Sequence, residues 1–189
     1  MRLLTLDTGK NQSAYAITCI TDNDVVLEDI GVIPAVYDLT KENIQQNIAN
    51  YDKNLQALCD NIDTIVFERV IQRPTRTSGS SVEYIGIGVG VLLARCQDHN
   101  ILAIPTMASV WKTKLRKIKP WNTSSEIFNF PPIVKARKSN MIADHEFDAA
   151  SIALWFIQKN TEHNVEHVLT TFTDKLHDIY QTRRTHNAK

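Results

Sequence analysis

The fold is decided by residues 2–33, RLLTLDTGKNQSAYAITCITDNDVVLEDIGVI. Residues 2–6 are an apolar run of strand length. Residues 13–20 form a second such run, rich in Ala, Tyr, Ile and Thr. Thr-Asp-Asn-Asp at 21–24 is a turn, and residues 25–33 alternate as a third strand. Three successive strands joined by short connections predict an antiparallel meander.

Downstream the pattern changes from period 2 to helical spacing. Ile44, Ile48, Tyr51, Leu55, Leu58 and Ile62 recur as one face of a helix running from an N-cap at Thr40 to about Asn61. Thr-Ile-Val-Phe at 64–67 is a buried β-branched strand that ends at Glu68. A loop over 69–81, a helix over 82–98 and a short strand over 101–104, stopped by Pro105, follow. A helix is expected over 107–117, a long proline-bearing connection over 119–139, and helices over 140–159 and 165–182. The order βββ-α-β-α-β-(α)-α-α predicts an α/β fold. Its mixed five-stranded sheet has three antiparallel strands, then parallel ones, and helices on both faces. That is the order of a ribonuclease H-like fold. The expected division is a domain over 1–160 and a helical extension with a basic tail over 161–189.

Composition agrees with one folded domain: 189 residues, 43% hydrophobic and 22% charged. No apolar run approaches the ~18 residues of a membrane helix, and the polar turn at Asp7 argues against a signal peptide. Cys19, Cys59 and Cys96 are odd in number and match no metal spacing, so reduced thiols in a reducing, cytoplasmic compartment are expected. The net charge of zero is a cancellation. Residues 22–68 carry −8, whereas residues 112–143 carry +7 through Lys112, Lys114, Arg116, Lys117, Lys119, Lys135, Arg137 and Lys138 against Glu126. Such asymmetry suits a phosphate-binding face, and equally a solvated basic loop.

Two carboxylates stand where folding asks for none: Asp7 at the end of the first strand and Glu68 at the end of the fourth. In the expected sheet these strands are central neighbours. His145 and Asp148, in His-Glu-Phe-Asp-Ala-Ala, are spaced i, i+3 and share a helix face. If that helix crosses the strand ends, all four side chains meet. Converging carboxylates repel, and divalent cations resolve the repulsion. The donor set suits two Mg²⁺ ions, with Mn²⁺ an alternative that the imidazole favours. Two ions ~4 Å apart are suited to phosphodiester hydrolysis. Each residue also has a plainer reading. Asp7 with Thr8-Gly9 can make a turn. Glu68 can pair with Arg69 or Arg73. Asp144 can cap the helix that holds His145 and Asp148, and it is also a reserve ligand.

The segments Leu-Thr-Leu-Asp-Thr-Gly at 4–9, Ile-Val-Phe-Glu-Arg-Val at 65–70 and His-Glu-Phe-Asp-Ala-Ala-Ser-Ile-Ala-Leu at 145–154 resemble the RuvC-type Holliday-junction resolvases. The resemblance covers about residues 1–157 in motif order and is patchy between motifs. It implies that Asp7, Glu68, His145 and Asp148 hold the metal ions. It implies branched DNA as substrate and a homodimer that nicks two strands of like polarity symmetrically. The glycine-bearing helix over 82–98, with Gly86 and Gly90 on one face, is similar to the helix that pairs resolvase protomers; close packing on its own sheet is the other reading. Pro105…Val110-Trp111-Lys112 resembles the family's Pro-x-x-Val-Lys segment, which brings Lys112 to the scissile phosphate.

The chain also departs from the family pattern. Where relatives carry an aromatic wedge three residues after the glutamate, this chain has Ile71, so opening of the junction falls to the loop bearing Arg69, Arg73 and Arg76. Lys114, Arg116, Lys117, Lys135, Arg137 and Lys138 are candidates for backbone contact. Trp121, Phe128 and Phe130 either stack on bases or anchor a long loop on the core. Arg183, Arg184 and Lys189 form a phosphate-binding or disordered tail. The competing functions are another ribonuclease H-like nuclease, acting on RNA–DNA hybrids or flaps, and a module that binds nucleic acid without cutting it. An actin-like ATPase, whose first strand also ends in Asp-x-Gly, needs a second domain for which this chain is too short.

Overall fold

A computed structural model describes residues 1–9, 11–36, 43–69, 79–130 and 144–186, with the side chains of 79–81, 184 and 186 excepted. Its sheet has the strand order β3-β2-β1-β4-β5, from β1 (Arg2–Asp7), β2 (Gln12–Ile20), β3 (Val25–Pro34), β4 (Thr64–Glu68) and β5 (Leu102–Thr106). The pairs β1/β2 and β2/β3 are antiparallel, and β1/β4 and β4/β5 are parallel. The meander and the mixed sheet therefore form as the sequence predicts.

The central position of β1 explains its composition. Residues 3–7 are all buried, because a strand covered on both faces must be apolar at nearly every position. Its side chains alternate between two cores. Leu4 and Leu6, with Ile65 and Phe67 of β4, pack under α1 (Ile44–Cys59) and α2 (Gly79–Asp98), where Tyr51, Leu55 and Leu92 meet them. Leu3 and Val66 face the opposite core. That core is formed by α3 (Ala108–Leu115), α4 (Ser124–Ile127), α5 (Asp144–Asn160) and α6 (Val165–His186). The helical spacing of Tyr51, Leu55 and Cys59, all buried, places α1 as its periodicity requires. Asn61 and Asn100 take left-handed backbone just past α1 and α2 (φ 59° and 55°), a conformation asparagine tolerates at helix ends. The helix begins at Ile44 with Asn43 in the cap position, not at the expected cap Thr40, which lies outside the described residues.

Two expectations are corrected. Pro105 does not stop the fifth strand; it pairs with Phe67 inside β5. β5 is an edge strand, where a residue without an N–H can be accommodated on the unpaired side. The connection after α3 is not extended loop throughout. It contains α4, and Trp121, Phe128 and Phe130 are buried at 7%, 0% and 8% exposure. They anchor the segment on the core, and the reading as base-stacking groups falls. Phe130 stacks on His177 of α6 (centroids 4.2 Å apart) and Phe128 on Phe147 of α5 (6.1 Å).

Arg183 is not a free tail residue. It donates to both oxygens of Glu146 (2.8 and 3.1 Å) and to the Ile30 carbonyl (3.1 Å), tying α6 to α5 and β3. All three cysteines are free thiols, with Cys59 and Cys96 buried. No helix among the described residues is long and apolar enough to cross a membrane.

Candidate active site

The parallel register pairs Leu6 with Phe67, so the next step of each strand brings Asp7 and Glu68 side by side. Period 2 turns both toward the face covered by α5. That helix lies close because the residues it presents are small: Ala149, Ala150 and Ala153 are fully buried. Thr5 donates to the Ala149 carbonyl (2.8 Å), pinning the first turns of α5 to β1. A close helix is what lets two short side chains, His145 and Asp148, reach the end of β1.

They do reach it. His145 Nδ1 lies 2.6 Å from Asp7 Oδ2. Asp7, His145 and Asp148 each offer a ligand atom within 4.8 Å of the others. Glu68 is not one of that set. Its Oε2 accepts the Trp111 indole N–H (2.8 Å), and its backbone carbonyl accepts the Thr8 hydroxyl (2.7 Å). Asp148 accepts from Ser124 through Oδ1 and from Lys112 Nζ (3.3 Å) through Oδ2. Lys112 also lies over the Trp111 ring, 4.7 Å from its centroid. Asp144, the reserve ligand, is the exposed first residue of α5 and stands outside the set. Glu146 faces away and is buried against Arg183.

The electrostatics are those of crowded acids. Burial, then the charge of Asp7, raises the Glu68 carboxyl to about 7. Burial also raises Asp148, against the lowering pull of Lys112. The hydrogen bond to Asp7 raises His145. Every shift favours the protonated form, so between mildly acidic and mildly alkaline pH the folded chain holds more protons than the unfolded one. Stability must then fall as pH rises. For Glu68 the penalty is absent below its ordinary 4.5 and complete above about 7, which amounts to ~3 kcal/mol. Thermal melts in EDTA are expected to show a lower Tm at pH 8 than at pH 5.5, with Mg²⁺ or Mn²⁺ recovering it. A flat or rising Tm over that range would contradict the account.

The donor set fits a hard divalent cation. Two carboxylates and one imidazole offer ligand atoms within 4.8 Å of one another, so small side-chain shifts bring them to one Mg²⁺ or Mn²⁺ ion, and the unneutralised acids gain from a cation. Of the residues expected to meet nucleic acid, Lys112 is at the cluster, and Arg69, Lys114, Arg116 and Lys117 are exposed. Ile71, Arg73, Arg76, Lys135, Arg137 and Lys138 lie outside the described residues, as do Lys189 and the Arg184 side chain. Two residues at the site carry no role in the sequence reading: Trp111 and Ser124. Trp111 adjoins Lys112 in the chain, but its bond to Glu68 spans 43 residues, and no local pattern announces it.

The strand order, the acidic pair at the two central strand ends and the helix across them can be compared with solved structures. The chain matches T. thermophilus RuvC in complex with Holliday junction substrate at a TM-score of 0.62. The two are 11% identical, and the match covers 85% of this chain and 98% of that one. The chain has the RuvC fold. The yeast mitochondrial Holliday junction resolvase Ydc2 matches it at a TM-score of 0.61 and 12% identity, over 94% of this chain and 83% of that one. No protein-family model and no curated sequence matches, so the likeness to RuvC lies in how the chain folds. In the RuvC fold of this protein, the acidic cluster sits at the carboxyl ends of β1 and β4, where parallel strands present side chains to a crevice.

Proposed function

We propose that this chain is a metal-dependent endonuclease that resolves four-way or otherwise branched DNA junctions. The observation that carries the reading is the meeting of Asp7, His145 and Asp148, from β1 and α5, beside Glu68 on a RuvC fold. Asp7 would be shared between two ions, Asp148 and His145 completing one side and Glu68 the other. Bound Mg²⁺ or Mn²⁺ supplies charge neutralisation at the attacking and leaving oxygens of the phosphodiester. Asp7 holds one nitrogen of His145, which leaves the other ring nitrogen to ligate or to accept a proton from water. Lys112 exchanges its contact with Asp148 for one with the scissile phosphate. Arg69, Lys114, Arg116 and Lys117 hold the DNA backbone. The same role extends to Arg73, Arg76, Lys135, Arg137 and Lys138, with Ile71 at the junction centre.

The test is nicking of a four-way junction in Mg²⁺ or Mn²⁺, with linear duplex and RNA–DNA hybrid as competitors. Junction preference is expected. Preferential cutting of the hybrid would make the chain a different nuclease, and no cutting in either ion would leave a binding module.

We propose further that the protein acts as a homodimer through α2. A Cβ at Gly86 or Gly90 would meet nothing within 4 Å, so these glycines do not serve packing on their own sheet. With Leu93, 44% exposed, they form an outward stripe. Leu93→Glu is expected to convert a sedimenting dimer to monomer and to uncouple the two cuts. An unchanged mass would place the contact elsewhere.

A further inference from the structure

The residues from 111 to 128 supply no ligand to the cluster, yet they touch its Asp148 and the neighbouring Glu68. We infer that Trp111 and Ser124 are positioning residues: each fixes one oxygen of a catalytic carboxylate, Glu68 and Asp148 respectively, and leaves the other oxygen to a cation. The inference rests on the nuclease reading and assigns a role to a segment, 119–130, that lies between the motifs carrying the resolvase resemblance.

The donors are suited to the task by what they lack. An indole N–H donates and cannot accept or ligate, so Trp111 orients Glu68 without competing for an ion. Being neutral, it adds no positive charge beside the carboxylate, where a lysine or arginine in its place would repel a metal. The Ser124 hydroxyl that donates to Asp148 Oδ1 is likewise neutral. Oδ2 of Asp148 faces Lys112 at 3.3 Å, a cation on the oxygen that a metal would take.

Both donors are held rigidly. Trp111 is fully buried, and Trp121 stacks on it (6.2 Å between centroids, 13° between planes). The Arg116 guanidinium lies over the outer ring, 4.9 Å from its centroid. Ser124 opens α4, whose following residue Phe128 stacks on Phe147, the neighbour of Asp148 in α5. The segment therefore couples one rigid aromatic layer to two carboxylates from different elements. Partners of metal-binding side chains typically change metal affinity 10–100-fold when removed.

The experiment is Mn²⁺ titration of the full chain by calorimetry and electron paramagnetic resonance, with thermal melts beside it. Trp111→Phe keeps the ring and removes the donor; Ser124→Ala removes the hydroxyl. Each is expected to weaken Mn²⁺ binding at least ~10-fold. Each loss is expected to vanish when the target carboxylate is already gone, in Glu68→Gln and Asp148→Asn backgrounds. A loss that persists in those backgrounds would show a merely structural role, and affinities within about twofold of wild type would overturn the inference outright. If Trp111→Phe does not fold, the Ser124 and Asp148 pair decides the question alone. Wild-type protein that binds no Mn²⁺ would remove the nuclease reading as well. Wild type that binds and cuts, with both variants unaffected, removes this inference only.

Discussion

Asp7→Asn is expected to lower junction nicking by at least ~10³-fold, because the lost charge is worth several kcal/mol at a reacting phosphate. The variant should remain folded. Asparagine has nearly the same shape, the site is 6% exposed, and the amide oxygen can still accept from His145. Asp7 is the side chain on which the others depend: it touches His145 at 2.6 Å, shares the ligand set with Asp148, and its charge helps raise Glu68. Removing that charge relieves repulsion, so the metal-free variant should melt higher than wild type at pH 8 while losing activity, the trade expected of a strained functional site. Junction binding, which depends on the basic face, should persist. Gel shift, nicking and melting on one preparation check all three. A folded Asp7→Asn protein that cuts within tenfold of wild type, or that loses junction binding, would remove Asp7 from the mechanism.

Arg183→Met is expected to cost ~3–5 kcal/mol of stability, although Arg183 lies near the end of the chain. Its partner Glu146 has a side chain only 4% exposed. Losing the guanidinium takes from a buried carboxylate the two hydrogen bonds and the positive charge that Arg183 supplies, and removing one partner of a buried pair costs more than the pair itself contributes. Glu146 directly follows His145, and Arg183 also holds the Ile30 carbonyl of β3. The pair therefore clamps the start of α5 between α6 and the sheet edge. Adding Glu146→Gln to Arg183→Met should recover much of the loss, since the buried charge is then gone. Urea unfolding of the two single variants and the double variant measures this coupling directly. A loss below about 1 kcal/mol in Arg183→Met would show that the contact is solvated and ordinary.

Much of the architecture was legible in one dimension, for a definable reason. Strand and helix periods are local, so the apolar run at 2–6, the β-branched run at 64–67 and the i, i+3 spacing of His145 and Asp148 announce themselves without any partner. From those, the parallel neighbours β1 and β4 and the meeting of Asp7 with α5 follow by topology. Features that depend on which surfaces face each other did not show. Pro105 reads as a stop until β5 is known to be an edge. Trp121, Phe128 and Phe130 sit beside basic residues and read as equally suited to bases or core until α5 and α6 are seen to cover them.

Arg183 shows the same limit at the terminus, where tail-like composition conceals a buried pair formed across 37 residues. Trp111 shows it at the site itself. Sequence alone determined the strand and helix order and the acids at the ends of strands, because backbone periodicity and chain reversal are near-neighbour properties. Only the tertiary structure decided which neutral groups orient those acids and which charge holds α5 in place, because hydrogen bonds and desolvation depend on contacts that no local pattern encodes.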